Sequence, residues 1–238
     1  MERKEAKGAL PKEAWTDYAR YRAEIYRTAS VAFFQEPSAE VLTVLLKAAE
    51  SATTKGACVH ESEQAFVSTL AHLDDSDLAG LRTSVATEYA ELFVGPRAPL
   101  APLYESVYVG ADSRLCTEVT SSVRRFYRRF GMEAKRRGRI PDDHIAFELE
   151  FLANLCDSEA DAVKKGDVNA AYDLQKAQLE FIVVHPSQWF GRFAERVEEA
   201  WCASYYRAWA RFASSFVRED DIYLQRSLRD AGKLGVAA

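Results

Sequence analysis

Across almost the whole chain, apolar side chains recur at spacings of three and four, and no useful length of apolar–polar alternation interrupts them. That period marks helices with one buried face, whereas half-buried strands repeat every second residue. Trp15, Tyr18, Tyr21, Ile25, Val31, Phe33 and Phe34 set the pattern over residues 12–34. Glu36-Pro37-Ser38 ends that helix, and Ser38 is placed to cap the next, which carries Val41, Leu42, Leu45 and Leu46. The pattern predicts an all-α protein.

Punctuation sets the remaining elements. Residues 50–60, ESATTKGACVH, read as a polar loop, 62–73 as a short helix, Asp74-Asp75-Ser76 as a break, and 77–94 as a helix. Pro96, Pro99 and Pro102 forbid a regular helix through GPRAPLAPL, residues 95–103. Further helices are predicted over 113–130, 142–165, 168–183 and 187–217, with a weaker one over 219–233. In the first of these, Val119, Val123, Phe126, Tyr127 and Phe130 form the apolar stripe, with Arg124, Arg125, Arg128 and Arg129 on the wet side. The later stripe of Phe193, Val197, Ala200, Trp201, Tyr205, Trp209 and Phe212 reads as one buried helix face. Residues 12–233 read as a single helical domain, its N-terminal and C-terminal lobes joined by the Pro-rich loop. Residues 1–11 and 234–238 read as flexible tails.

Composition removes several classes. The 238 residues are 48% hydrophobic, enough for a sizeable core. No apolar run approaches the roughly 18–20 residues a bilayer demands. The start, MERKEAKGALPKEAW, lacks the apolar centre of an export signal, which points to the cytoplasm. Cys58, Cys116, Cys156 and Cys202 form no close pairs, so they read as buried free thiols rather than a zinc or redox site. The net charge of −5 is uneven: Arg124–Arg139 holds eight basic residues and one Glu. A mostly acidic chain with one basic block does not fit a general nucleic-acid binder.

Three stretches carry chemistry. In PDDHIAFELEFL, Asp142 and Asp143 stand where a helix N-terminus favours carboxylates, and His144 stands beside them. Capping explains the acids but not the histidine. A metal site lacks ligands beyond His144 and Glu148. Ser106 lacks the G-x-S-x-G elbow of a hydrolase nucleophile. In YESVY, Tyr104 and Tyr108 offer apolar faces with polar tips, suited to peptide recognition or to pinning the loop. In FIVVHPSQW, His185 sits at an interhelical corner, placed to cap the preceding helix's carbonyl end.

Taken in order, YAELFVGP, then YESVY, then IPDDHI before an apolar helix, then FIVVHPSQW before an aromatic-rich helix resemble the TorD/DmsD family of redox-enzyme maturation chaperones, kin to the NarJ type. The resemblance covers about residues 15–217. Departures are Ile140 for the acid usual before the proline, Tyr104 for the usual Trp, and Ala146 for the usual Gly. The resemblance implies a cytoplasmic, non-enzymatic chaperone without a cofactor of its own. It would bind the twin-arginine leader or apo form of a molybdopterin-dependent oxidoreductase subunit, assist cofactor insertion and delay export. It would bind no nucleic acid, insert stably in no membrane, and be a monomer or a dimer swapped about 95–103 or 131–141.

A twin-arginine leader asks for carboxylates beside an apolar groove. The client-binding set expected here is Tyr104, Glu105, Ser106, Tyr108, Asp142, Asp143, His144 and Phe147. Asp143→Ala and Tyr108→Ala are then expected to weaken leader binding with the fold intact. Two other classes are a small hydrolase or nucleotide-hydrolysing enzyme using Asp143 and His144, and a helical nucleic-acid-binding regulator using Arg124–Arg139.

Overall fold

The computed structural model describes residues 11–56, 58–73, 76–95, 98–110, 115, 117–134, 139–201 and 204–233. Ten α-helices are described: α1 (Lys12–Phe34), α2 (Ala39–Lys55), α3 (Glu61–Ala71), α4 (Leu78–Tyr89), α5 (Glu105–Val109), α6 (Glu118–Arg129), α7 (Ile145–Lys165), α8 (Val168–Val184), α9 (Pro186–Glu199) and α10 (Tyr205–Lys233). A π-helical turn, Ala90–Val94, continues α4. No strand forms among the described residues. One isolated antiparallel bridge joins Tyr104 to His144. The all-α expectation holds.

Local chemistry explains most boundaries. The Ser38 hydroxyl accepts the Val41 N–H and starts α2 as predicted. Thr117 and Asp167 do the same for α6 and α8, and Pro186 opens α9. Gly56 and Gly166 close α2 and α7 in the left-handed region, at φ 60° and 81°, where a Cβ would be strained.

Two predicted boundaries are corrected. The loop placed at 50–60 starts only after Lys55: Thr53 and Thr54 stay helical with their hydroxyls on the carbonyls of Ala49 and Glu50, and Gly56 closes the helix in the left-handed region. The helix placed at 187–217 is broken: α9 ends at Glu199, Ala200 is extended, and α10 starts at Tyr205 and runs through the predicted gap at 218. The Glu88 carboxylate on α4 accepts the Ser204 hydroxyl at 2.6 Å and the Tyr205 N–H at 3.1 Å. A helix start is thus capped by a residue more than a hundred positions away.

α1 and α7 are the central pair, with α8, α9 and α10 around them. One continuous core runs from Tyr26 and Phe33 through Leu149, Phe151, Phe181, Trp189 and Phe193 to Trp209 and Phe216. Inside it lies Arg22, fully buried. Its guanidinium donates to Asp220 at 2.5 and 2.8 Å, to Glu159 at 3.0 Å and to Gln178, tying α1 to α7, α8 and α10. Cys156 is a buried free thiol, as read from the sequence, whereas Cys58 is only half-buried. Cys116, Cys202 and the tails apart from Pro11 lie outside the described residues.

Candidate functional site

The Pro-rich loop and the PDDHI motif meet. Ile145 N–H donates to Leu103 O at 2.9 Å, and Glu105 N–H donates to Asp143 O at 3.0 Å. This pair stitches the loop's exit to the start of α7. The junction fixes α5, a single turn that would not persist alone.

All eight expected residues gather at this junction, and seven are buried. Asp143 spends one oxygen on the Ser106 N–H at 2.9 Å and the other on the Thr120 hydroxyl at 2.8 Å. It therefore caps α5 from outside, a role that Tyr104 does not supply. Asp142 accepts from Arg124, with Nη2 at 2.7 Å, and its carbonyl accepts the Tyr127 hydroxyl at 3.0 Å. His144 Nδ1 accepts the Ala146 N–H at 3.2 Å and caps α7. Burial holds the imidazole at a pKa of about 4, so it is neutral near pH 7. Its ring lies edge-on to Tyr104, 5.1 Å between centroids, and against Phe147 at 5.5 Å. The unexplained histidine is thus a helix cap set in an aromatic cage. Asp143 and His144 do not hydrogen-bond to each other, which leaves the hydrolase alternative without its pair.

The layer beneath was largely missed from the sequence. Glu105 reaches His185 Nδ1 at 2.9 Å, so the His185 side chain holds α5, while its backbone N–H donates to Phe181 O at 2.9 Å and closes α8 at the expected corner. Trp189 Nε1 donates to Glu148 at 3.1 Å. Burial, reinforced by the nearby Glu105 charge, raises the Glu148 pKa well above the usual carboxylate range. Tyr108 stacks on Trp189 at 5.2 Å, and its carbonyl accepts from Arg192. Asp143 and Tyr108, at 0% and 5% exposure, therefore belong to the packed frame, and removing either side chain disturbs packing. The expectation of an intact fold in Asp143→Ala and Tyr108→Ala is corrected on that ground.

Above this frame the surface opens into a groove of about 800 Å³. Pro99, Leu100, Pro102, Tyr104, Val107 and Leu115 line one side, and Arg196, Glu199 and Trp201 the other. Leu100 and Leu115 are each 49% exposed, and Trp201 is 85% exposed. Trp201 was expected in a buried stripe; the break after α9 turns it outward. The one local hint was Ser204, a good helix cap inside an otherwise continuous apolar pattern.

The basic helix α6 is partly neutralised. Arg124 pairs with Asp142, Arg125 with Glu118 and Arg129 with Glu180. Residues 135–138 of the basic block lie outside the described residues. No group of three or more His, Cys, Asp or Glu able to hold a metal occurs among the described residues. No described helix is long and apolar enough to cross a membrane.

The acids and histidines of this helical frame are engaged in caps, an ion pair and buried hydrogen bonds, and an open, largely apolar groove lies above them. The family described as nitrate reductase delta subunit matches residues 56–195. Chaperone protein TorD of Vibrio cholerae serotype O1 (strain M66-2) is 30% identical over 219 residues, covering 88% of this chain and 94% of that protein. TorD of Vibrio parahaemolyticus is 25% identical, covering 85% and 94%. A solved structure from Archaeoglobus fulgidus, described as a candidate redox enzyme maturation protein, overlays with TM-score 0.42 at 19% identity, covering 94% of this chain and 99% of that one. The chain belongs to the nitrate reductase delta subunit family, the family of the TorD chaperones. It is a chaperone and not an enzyme.

Proposed function

We propose that this chaperone serves redox-enzyme maturation, and that it binds the twin-arginine leader or the apo form of a molybdopterin-dependent oxidoreductase subunit. It holds the client in the cytoplasm until the cofactor is inserted, and so delays export. The observation that carries this reading is the groove beside Tyr104. At about 800 Å³ it offers an open, largely apolar surface, and its loop wall is pre-ordered by Pro99 and Pro102 at low entropy cost. Tyr104 supplies contact area directly. Glu105, Ser106, Tyr108, Asp142, Asp143, His144 and Phe147 act one layer down by holding Tyr104 and α5 in place.

Calorimetric titration with a synthetic leader peptide tests the reading. Leu100→Glu sets a charge in the apolar wall at an exposed position. It is expected to weaken binding about tenfold or more, with the helical circular dichroism unchanged. Tyr104→Ala is expected to weaken it several-fold. Unchanged affinity in both variants would remove the groove from the reading. Failure of the wild-type chain to bind any leader would overturn the leader as ligand.

A further inference from the structure

Two residues at the α9 end of the groove break local rules. A helix C-terminus carries partial negative charge and favours cations, yet α9 closes on Glu198 and Glu199. Glu198 pairs with Arg211, whereas Glu199 is exposed, lines the groove and has no partner among the described residues. Two residues on stands Trp201, 85% exposed, while Trp15, Trp189 and Trp209 are at 6%, 0% and 2%. Its indole makes no ring contact among the described residues. A carboxylate at a helix end and an indole, each without a partner among the described residues, are unfavourable alone, even with Arg196 in the same last turn. One ligand group relieves both: a guanidinium, planar and cationic, stacks on the indole and donates to the carboxylate.

We propose that Glu199 and Trp201 form a guanidinium subsite of the groove, which grips an arginine of the bound client segment and directs its apolar stretch toward Leu100 and Leu115. This rests on the reading that the client segment lies in the groove. Charge supports the polarity. Arg196, one turn back, lies with its guanidinium 5.1 Å from the Tyr108 ring centroid, which keeps positive charge on that side and leaves the Trp201 end for a client cation. An ammonium fits less well, being a compact, strongly hydrated charge without a planar face.

The test uses the full chain and three synthetic peptides that share one apolar stretch, preceded by Arg-Arg, Lys-Lys or Gln-Gln. Glu199→Gln and Trp201→Ala change exposed side chains, so both are expected to fold as the parent does. Each is expected to lose about three- to fivefold affinity for the Arg-Arg peptide and none for the Gln-Gln peptide. The parent's preference for Arg-Arg over Lys-Lys is expected to vanish in Trp201→Ala. Trp201 emission is expected to change on adding Arg-Arg peptide. Equal losses for the Arg-Arg and Gln-Gln peptides, or no loss for either, would overturn the subsite while leaving groove binding in place. Absence of binding by the parent chain would take down the groove reading and this inference with it.

Discussion

Two buried polar regions differ in how completely they are satisfied. Around Arg22, one guanidinium faces Glu159 and Asp220, and Glu159 also accepts from Trp15, Gln175 and Gln178 at 2.6–2.8 Å. Around Asp143, four acids crowd the junction of α5, α6 and α7, and they are met by a backbone N–H, a hydroxyl, an indole, His185 and the partly exposed Arg124. Ser106 Oγ, Glu148 Oε1 and His185 Nε2 have no hydrogen-bond partner among the described residues. The first region locks helices to one another. The second positions a short turn and a loop beneath a groove, and its strength depends on protonation. A buried polar group that is fully paired resists change, while one that is crowded with like charge responds to pH.

The sharpest way to break this contrast is to open the first region. Arg22→Met leaves Glu159 and Asp220 buried without their cation. It is expected to cost roughly 3–5 kcal/mol, read from urea unfolding. Glu159→Gln offers one acceptor oxygen where two serve four donors, and is expected to cost about 3 kcal/mol. A loss below about 1 kcal/mol in both would mean that helix packing alone locks the fold.

The next largest effect belongs to the second region. His144 titrates at about 4 in the folded chain, against an ordinary 6.5. Between those values the unfolded chain binds a proton that the folded chain refuses. Stability is therefore full above pH 6.5 and declines as pH falls toward 4. Roughly 2 kcal/mol should be gone by pH 5. His144→Asn keeps an acceptor at the helix cap and cannot titrate. Its loss between pH 7 and pH 5 is expected to be smaller by about that amount; equal losses would show that His144 is not the acid-sensitive group.

How much of this was legible in the sequence depends on the range of the causes. α1 and the start of α2 were readable because apolar residues recur at threes and fours from Trp15 to Phe34 and Ser38 caps locally, although Val31 is half exposed and Ala19, Ala23, Tyr26 and Arg22 fill much of the buried face. The break after α9 was not readable, because Glu88 makes it from across the fold. The eight expected residues were found as neighbours, yet their burial was hidden. Nothing in PDDHI announces that Asp143 will cap a helix from another segment. The apolar run after His144 told of a buried helix, but not that the Pro-rich loop would cover its start. The exposed edge of the groove was hidden for the opposite reason: Trp201 fits the three-and-four spacing and stands outside it only once the chain turns.

The smallest expected effect separates the two regions most cleanly, because one chemical change should act with opposite signs. Glu148 is fully buried, takes one bond from Trp189, and lies near enough to Glu105 for that charge to raise its pKa. Its folded pKa lies above its unfolded value, so the folded chain holds a proton that the unfolded chain releases. Stability is thus full below the ordinary carboxylate range and declines as pH rises toward the folded pKa. A glutamine is a permanent copy of the protonated form. It still accepts from Trp189 and brings no charge against Glu105. Glu148→Gln should match the parent at low pH and exceed it at pH 8 in urea unfolding. The same exchange at Glu159 should destabilise, because that carboxylate faces a guanidinium and uses both oxygens. If Glu148→Gln instead weakened the fold at pH 8, the proton on Glu148 would be the wrong assignment, and the junction beneath the groove would be a lock of the same kind as Arg22.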